Sequence, residues 1–343
     1  MGTSGGSARF TVVQSLPEDV WRRFVEEHPA GNIFHTPEMF QVFSRTKSHR
    51  PELWAATRDG RVLALLLPVQ IRLFGGPLRY LTTRAVVYGS VLRAPGDEGQ
   101  EALAALLRTY AQGVDRAPLF TELRNLTNLE AAQPILRECG FHYEEHLNYL
   151  IGLDRPPEAI FQGIGSRTRK NIRRGLKHGE VTIEEVKERE RVNTCYEILS
   201  QTYQAAEVPL ADRSLFEAAF DVLHPKGMVR FTLAHVGEAP VAVSVELLYK
   251  DVVYGWYGGV DRAYSAHVPN ELVMWHILEW GATNGYRVYD FGGAGKPDEE
   301  YGVRDFKAKF GGELVSFGRN VRVHARWRLR LSEWGYRLLR GRL

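Results

Sequence analysis

The stretch YDFGGAGKPDEEYGVRDFKAKFGG, residues 289–312, holds the pattern that decides the fold. Residues 288–291 form an apolar run that is typical of the end of a buried strand. Gly292 and Gly293 follow at once, and because they carry no side chain, their N–H groups can face a ligand. A polar loop that is rich in acids comes next. The pattern predicts a strand that ends at an open-backbone loop.

A lysine-bearing turn closes the same stretch. Phe306 and Phe310 are four residues apart and share one helical face, while Lys307 and Lys309 lie off that face. A Gly-Gly pair then ends the turn. A strand end, a glycine loop and an anchored lysine within one connection favour a site for an anionic or carbonyl substrate. The alternative is an ordinary strand–loop–helix with solvated lysines.

The composition predicts a globular protein of two domains. The 343 residues are 44% hydrophobic and 25% charged, which is ample material for a core. No run of about 18 apolar residues exists, which argues against a membrane-spanning helix. Residues 1–9 lack an apolar segment and are interpreted as a disordered leader or cloning scar rather than a signal peptide. Cys139 and Cys195 lack metal or disulfide spacing, so the cytoplasm is the simplest compartment.

The charge is small in sum but unevenly distributed. The formal net charge is +3, yet residues 167–177, RTRKNIRRGLK, hold six cations and no acid. Residues 319–343 hold eight arginines and one acid. Runs of this kind attract polyanions such as nucleic acid, phosphates or acidic lipid headgroups. A single run is usually a solvated helix face, but two runs in one chain favour an anionic partner.

The order of predicted elements repeats in the two halves of the chain. Each half has a hairpin with long strands, turned at residues 59–60 and 237–238, and then a helix and another strand. This repeat predicts an α+β fold of two tandem GNAT-like domains, each a mostly antiparallel sheet flanked by helices. With a Pro-Pro boundary at residues 154–157, the predicted domains span residues 10–154 and 155–325. A basic C-terminal helix is predicted at residues 326–343.

Three motifs resemble the FemABX family of aminoacyl-tRNA-dependent peptidyltransferases. They are the basic helix RTRKNIRRGLKHG, the strand end YDFGG and the turn DFKAKFGGELV. The resemblance covers most of residues 10–325 and implies a double GNAT fold, in agreement with the repeat. It also implies transfer of an amino acid from an aminoacyl-tRNA ester to an amine of a peptidoglycan precursor or a related substrate. The family chemistry requires no metal and no bound cofactor.

The resemblance assigns roles to residues of the second half. Lys307 matches a family lysine implicated in stabilising the oxyanion of the tetrahedral intermediate. Arg213 resembles a family arginine that grips substrate phosphate, although a surface arginine at a helix start has the same pattern. The remaining expected substrate contacts are Gly292, Gly293, Tyr257 and Lys309. The expected tRNA contacts all lie on the basic helix and are Arg167, Arg169, Lys170, Arg173 and Arg174.

Several roles have two interpretations at this stage. Asp290 is expected either to orient the attacking amine or Lys307, or to cap the Gly292 turn. The aromatic run on the preceding strand either lines the site or packs in the core; its members are Tyr254, Trp256 and Tyr257. The family also has a basic residue near the first aromatic-rich helix, for which the approximate candidates are His35, Arg45 and Lys47.

Two further classes of function and three roles for the C-terminal helix are open. A CoA-dependent acyltransferase would need a pyrophosphate-binding glycine loop before a helix, which residues 258–267 lack. A non-enzymatic RNA-binding protein would use the basic runs alone. The C-terminal helix, with tryptophans and leucines among its arginines, is interpreted as binding tRNA, associating peripherally with an anionic membrane, or docking on the protein body.

Overall fold

The computed structural model describes residues 10–114 and 117–340. The predicted leader, residues 1–9, and residues 341–343 of the predicted C-terminal helix lie outside the described residues. The helices are α1 Glu18–Glu27, α2 Pro37–Arg45, α3 Arg79–Thr82, α4 Gly96–Gly113, α5 Gln133–Glu138, α6 Pro157–Gly163, α7 Ser166–His178, α8 Val192–Ala205, α9 Arg213–Leu223, α10 Pro269–Thr283, α11 Gly302–Ala308 and α12 Arg326–Arg340. The strands are β1 Thr11–Val13, β2 His49–Pro51, β3 Trp54–Arg58, β4 Arg61–Leu66, β5 Val69–Arg72, β6 Thr83–Tyr88, β7 Leu92–Arg93, β8 Phe120–Arg124, β9 His142–Glu144, β10 Leu147–Gly152, β11 Val181–Glu185, β12 Val229–Val236, β13 Ala239–Tyr249, β14 Val252–Val260, β15 Val288–Gly293, β16 Glu313–Ser316 and β17 Arg319–Val323.

The chain forms two compact units. Among the described residues, unit 1 comprises 10–44, 48–114, 117–144 and 317–340, and unit 2 comprises 45–47 and 145–316. Unit 1 has a four-stranded sheet in the order β1-β3-β4-β7 and a six-stranded sheet in the order β2-β5-β6-β8-β17-β9. Its core forms where apolar residues of α4, such as Leu103, Leu106 and Tyr110, are buried together with residues of β3 and β4.

Unit 2 is built on one seven-stranded sheet in the order β11-β12-β13-β14-β15-β10-β16. Helix α10 packs on one face of this sheet, where its residues Leu272, Ile277 and Leu278 are buried in one cluster with the strand residues Ala242 and Val253. Helices α6 and α7 pack against α10. Helices α8 and α9 contact strands β12, β13 and β14 as well. The sheet is therefore the central layer of the unit.

The two units repeat one topological feature. In unit 2, β14 and β15 are parallel neighbours, and α10 is the helix between them in the chain. In unit 1, β6 and β8 are parallel neighbours, and α4 lies between them in the chain. The other strand pairs of both units are antiparallel. The predicted α+β class, with mostly antiparallel sheets flanked by helices, is confirmed, but unit 1 divides its strands between two sheets where one was expected.

Two strands belong to a different unit from the one that the sequence indicates. The sequence places residues 143–153 in the first half and residues 321–323 in the second. In the structure, β10 pairs with β15 and β16 in unit 2, and β17 pairs with β8 and β9 in unit 1. Unit 2 therefore begins before the predicted boundary at residues 154–157, and the chain re-enters unit 1 at residue 317. The local sequence does not indicate which distant strand is the partner, because the alternation of side chains along a strand is the same in either sheet.

A second difference lies between β5 and β6. The sequence predicts a sheet over residues 78–92, but the structure has a turn at Gly76–Leu78 and then the short helix α3. The Gly-Gly-Pro sequence at residues 75–77 interrupts the strand pattern, because proline lacks the N–H that a ladder needs. In the part of the chain that the structure describes, no helix combines the length and the apolar character that a membrane crossing requires.

Candidate active site

The end of β15 is the centre of the candidate site. Asp290 lies opposite Tyr254 in the parallel register of β15 and β14, so both side chains project from the same face of the sheet. Gly292 has a φ of 68°, in the left-handed region that favours glycine. A Cβ at Gly292 would lie 3.0 Å from the hydroxyl oxygen of Tyr254. Both observations explain why the strand end needs glycine here.

Asp290 holds the strand end by hydrogen bonds. Its Oδ1 accepts from the backbone N–H of Gly292 at 2.7 Å and from Nδ2 of Asn148 at 2.7 Å. Burial raises the pKa of Asp290, while those two hydrogen bonds and the charge of Lys307 lower it. The turn-capping geometry, one of the two interpretations of Asp290, is present in the structure. Asn148 is a partner that the sequence analysis did not single out, because it comes from the distant strand β10.

Lys307 is buried under the same strand end. Lys307 is only 8% exposed, and its Nζ lies 5.9 Å from the ring centre of Phe291. The ammonium donates to three backbone carbonyls, those of Phe291 at 2.6 Å, Gly292 at 3.2 Å and Gly293 at 2.8 Å. Burial lowers the pKa of Lys307 to about 8, and the charge of Asp290 raises it. The lysine therefore fixes the peptide planes at the glycine tip with its three protons.

A network around Arg304 orders the loop between β15 and α11. Its Nε donates to the carbonyl of Ala294 at 2.8 Å, its Nη1 donates to that of Pro297 at 3.2 Å, and its Nη2 donates to that of Lys296. A buried or half-buried arginine can satisfy several carbonyls at once because its donors form a rigid fork. Sequence reasoning missed Arg304, since nothing in its neighbours distinguishes it from a solvated helix arginine.

The aromatic residues of β14 divide between the site and the core. Tyr254 reaches Gly292, as described above. Tyr257 packs edge-on against Phe216 of α9, with ring centres 4.7 Å apart, and Trp256 contacts the same ring at 6.1 Å. The core-packing interpretation therefore describes the contacts of Tyr257 and Trp256, whereas Tyr254 lies at the strand end.

The start of α9 brings together two of the cationic candidates. Asp212 caps the helix by accepting from the N–H of Ser214 at 2.9 Å. Hydrogen bonds from Ser214 lower the pKa of Asp212, and the charges of Lys47 and Arg213 lower it further. The backbone N–H of Lys47 donates to Oγ of Ser214 at 2.9 Å. Arg213 is exposed and pairs with Glu217 at 3.3 Å.

The other two candidates for the first-half basic residue differ in setting. His35 is fully buried, with its ring nitrogens 3.2 Å from the carbonyl of Ser90 and 3.3 Å from the N–H of Asn32. Arg45 is exposed at the end of α2. Of the three candidates, Lys47 is the one whose backbone contacts the start of α9.

The basic helix α7 presents its cations in two ways. Its apolar side, Thr168, Ile172 and Gly175, faces inward, and a Cβ at Gly175 would lie 2.9 Å from Leu272 of α10. Three predicted tRNA contacts are exposed without a described partner of their own: Arg167, Lys170 and Arg174. Arg173 is exposed but lies over the Phe161 ring at 5.1 Å. Arg169 is bound to the protein itself, because its Nη1 donates to the carbonyls of Gln162 and Ile164.

Lys309 and the cavity of unit 2 lie outside this network. Lys309 is exposed, with its Nζ 5.9 Å from the Phe306 ring centre. A cavity of about 920 Å³ opens near the first residue of β15, Val288, at the far end of the strand from Gly292. No residue predicted for the site lines it. We therefore locate the site by its side-chain chemistry at the strand end.

A buried carboxyl group in unit 2 was also missed by sequence reasoning. Glu246 on β13 is fully buried, and burial raises its pKa to about 8, although a hydrogen bond from Ser244 and the charge of Arg230 lower it. Its Oε2 has no hydrogen-bond partner among the described residues. Arg230 lies opposite it in register and binds Glu185 at 2.7 Å. The only sequence signal is an acid within the apolar run VAVSVELLY.

We expect Glu246→Gln to change how stability depends on pH. Between the unfolded pKa of 4.5 and the folded pKa of about 8, the native protein retains a proton that the unfolded chain has lost. The free energy of unfolding of the wild type should therefore fall as pH rises through this range, by on the order of a few kcal/mol. Glutamine does not titrate, so the free energy of unfolding of the variant should rise relative to that of the wild type as pH approaches 8.

Urea unfolding at a series of pH values measures this difference. Glu238→Gln is the matched control, because Glu238 is exposed at the turn between β12 and β13. Its unfolding curve should follow that of the wild type at every pH. Parallel pH profiles for wild type and Glu246→Gln would contradict a neutral buried carboxyl.

Within residues 10–114 and 117–340, no three His, Cys, Asp or Glu side chains are grouped as a metal site would need. The chemistry that the described site offers comes from one buried ammonium, one buried carboxyl and the glycine backbone.

Comparison with known proteins supports this architecture. The family model for an acetyltransferase (GNAT) domain matches residues 166–307. No curated protein sequence matches the chain significantly. Among solved structures, FemX superposes with a TM-score of 0.71 at 16% identity, over 91% of this chain and 97% of that chain.

Two further solved structures have the same fold over most of their length. A tandem GNAT protein from the clavulanic acid biosynthesis pathway has a TM-score of 0.58 at 12% identity, over 92% of this chain and 99% of that chain. The C-terminal domain of a putative lysylphosphatidylglycerol synthetase from Agrobacterium fabrum has a TM-score of 0.55 at 13% identity, over 94% of each chain. The chain therefore has a FemABX-like double GNAT fold, and the match to the acetyltransferase (GNAT) domain model falls within its second unit.

Proposed function

We propose that the protein is an aminoacyltransferase that uses aminoacyl-tRNA as donor and an amine of a peptidoglycan precursor or a related substrate as acceptor. Lys307 carries this proposal, because a buried ammonium under a glycine strand end is a device for stabilising negative charge. The motifs shared with the FemABX family and the FemX-like fold support the same reaction class. A second neighbour is a domain of a putative lysylphosphatidylglycerol synthetase, a name that contains an aminoacylated product.

The reaction needs stabilisation at one atom in particular. The acceptor amine attacks the ester carbonyl carbon, a C–N bond forms, and the carbonyl oxygen becomes an oxyanion. Collapse of this intermediate breaks the bond to the ribose oxygen, which takes up a proton while the amine loses one. A fixed positive charge beside the developing oxyanion lowers the barrier most when the surroundings exclude water.

Lys307 acts on that oxyanion through the strand end. Its three protons are bonded to the carbonyls of Phe291, Gly292 and Gly293, so the ammonium orients the glycine backbone and places its charge directly beneath it. Asp290 accepts the N–H of Gly292, so this donor is already bonded within the strand end. In this proposal Gly292 and Gly293 face the acyl group because neither carries a side chain.

The two basic regions of unit 2 serve the anionic ends of the substrates. Arg213 and Lys47 bind the phosphate of a nucleotide-linked or lipid-linked acceptor, and Lys309 lies on the exposed side of the same turn as Lys307. The exposed cations of α7 contact the tRNA backbone. Contacts of this kind depend on salt and are insensitive to sequence.

A transfer assay tests the function. Purified charged tRNAs are incubated with the protein and a nucleotide-linked muropeptide, and formation of the amide product is followed by mass spectrometry. We expect a product that ribonuclease treatment of the donor abolishes. Consumption of acetyl-CoA without RNA would overturn the proposal in favour of a CoA-dependent acyltransferase, and RNA binding without turnover on any acceptor would favour an RNA-binding protein.

We expect charge reversal on α7 to weaken use of the donor. Arg167→Glu combined with Arg174→Glu should raise KM for aminoacyl-tRNA by at least about tenfold, because two phosphate contacts become repulsive. The turnover number at saturating donor should change little, since neither side chain reaches Lys307 through a described contact. Steady-state kinetics at two salt concentrations measure the effect.

Lys187→Glu is the control for this experiment. Lys187 is exposed in the connection after β11 and has no assigned role. Its replacement by glutamate makes the net charge of unit 2 more negative, as the α7 substitutions do. An equal rise of KM in both variants would show that the overall charge, and not α7, attracts the donor.

A further inference from the structure

Helix α12 exposes an apolar face in unit 1. Trp327 is 71% exposed, Leu331 is 45% exposed and Trp334 is 59% exposed. These residues are spaced by four and three positions, so they lie on one side of the helix. A helix that packs on its own domain normally buries such a face. Here these three apolar side chains face solvent instead.

A different side of α12 attaches the helix to unit 1. Arg328 donates from Nη1 to the carbonyl of Tyr80 at 3.2 Å, and its guanidinium lies 5.9 Å from the Tyr80 ring centre. Ala325 is buried just before the helix, and α12 packs against α3. Docking of α12 on the protein body is therefore achieved without Trp327, Leu331 and Trp334.

The segment that α12 contacts is itself exposed and apolar. Residues 73–80 are exposed without interruption, and they include Leu73 at 67%, Phe74 at 58%, Leu78 at 55% and Tyr80 at 38%. A monomeric protein in water rarely leaves so many large apolar side chains uncovered in adjoining elements. We call residues 73–80 together with Trp327, Leu331 and Trp334 the aromatic–arginine surface.

Cations surround this surface. Arg79, Arg326 and Arg330 are exposed within or beside it, and Arg79 lies 4.8 Å from the Tyr80 ring centre. Residues 72–84 contain no acid, and α12 contains one, Glu333. The combination of tryptophan, leucine and phenylalanine with arginine is complementary to an anionic bilayer, whose headgroups are negative and whose interior is apolar.

We propose that the aromatic–arginine surface binds the surface of an anionic lipid bilayer, with residues 73–80 and α12 inserting side by side into the headgroup region. A bilayer explains the exposed leucines and phenylalanine, whereas the phosphate backbone of RNA requires only cations and hydrogen-bond donors. A second copy of the chain would bring like charges together. The proposal does not depend on the reaction assigned to unit 2.

Vesicle co-sedimentation of the full chain tests the proposal. We expect binding to vesicles of phosphatidylglycerol mixed with phosphatidylcholine, weaker binding to phosphatidylcholine alone, and a decline with added salt. Trp327→Ala combined with Trp334→Ala should weaken binding by at least about tenfold, because two interfacial anchors are lost. Phe74→Ser combined with Leu78→Ser should weaken vesicle binding to a similar extent, because these residues belong to the segment 73–80 of the same surface.

The controls separate the bilayer from other partners. The Arg167→Glu, Arg174→Glu variant of α7 should bind vesicles as the wild type does, and all variants should keep the wild-type far-ultraviolet spectrum and melting temperature, since the changed residues are exposed. Unchanged vesicle binding in both surface variants would overturn the proposal. If the surface variants lose tRNA binding but still bind vesicles, the surface belongs to RNA instead. If the wild type shows a molar mass that increases with concentration and only the surface variants do not, the surface belongs to a second copy of the chain.

Discussion

Lys307→Met should lower kcat/KM for aminoacyl transfer by about 100-fold to 1,000-fold. Removal of one preorganised oxyanion donor causes a loss of this size in other acyl-transfer enzymes, and we expect the same range here for a buried charge that acts through the strand end. The effect has two sources in this site. The positive charge under the glycine tip is lost, and three carbonyls of residues 291–293 lose the ammonium that orients them.

The pH profile of the wild type gives an independent readout of the same group. Burial lowers the pKa of Lys307 to about 8, so the ammonium loses its proton as pH rises through that value. If the charged form is the active one, transfer should decline on the basic side with a midpoint near pH 8. In Lys307→Met this basic limb should disappear from the residual activity.

The folded state of the variant has to be checked, because carbonyls left without a donor cost about 1 to 3 kcal/mol each when buried. Urea unfolding of Lys307→Met and of Lys307→Arg, which retains the charge, distinguishes instability from lost chemistry. Lys187→Met, in an exposed position of the same unit, is the control for removal of a lysine. A folded Lys307→Met protein with wild-type turnover would remove this residue from the mechanism.

Gly312→Ala should lower the free energy of unfolding by about 2 to 5 kcal/mol. Gly312 has a φ of 93°, which an alanine adopts only at a cost. Its Cβ would lie 2.5 Å from the carbonyl oxygen of Leu150 and 2.9 Å from Cγ1 of Ile151. Leu150 cannot retreat easily, because it is paired with strands on both sides, at Asp290 and Glu313. Backbone strain and overpacking therefore add.

Gly302→Ala is the matched control for this prediction. Gly302 is the first residue of α11, its φ is not in the left-handed region, and no atom lies within 4 Å of a Cβ built on it. Alanine should be neutral there or stabilise by up to about 1 kcal/mol, because it favours the helix. Denaturant midpoints of the two variants measure the contrast, and equal midpoints would contradict the strain assigned to Gly312.

Much of the fold can be predicted from local sequence signals. The Asp-Gly pair at residues 59–60 joins β3 and β4, Asp212 caps the start of α9, and the YDFGG run lies in β15. Each of these signals operates over a few residues, through turn preference, a capping aspartate or apolar patterning. The order of elements then favours the double GNAT arrangement.

The contacts of the site could not be predicted in the same way. Lys307 and Asp290 were singled out from residues nearby in sequence, but their partners come from elsewhere or from the backbone. Asn148 reaches Asp290 from β10, and a lysine donating to three carbonyls has no sequence pattern. Arg169 is a further example, because its neighbours predict an exposed cation and its guanidinium instead binds two carbonyls of its own unit. Such partners depend on packing, which local propensity does not encode.

The placement of β17 has a consequence for synthesis of the chain. The six-stranded sheet of unit 1 has β8 and β9 on either side of β17, whose residues 319–323 are made only after all of unit 2. During translation, β8 and β9 lack their shared partner until residues 319–323 have been made, which leaves strand edges of unit 1 unpaired for that time. A chain that ends after residue 316 would hold all seven strands of unit 2, but its unit 1 would lack the strand that joins β8 to β9. Such an incomplete sheet is a target for quality-control proteases.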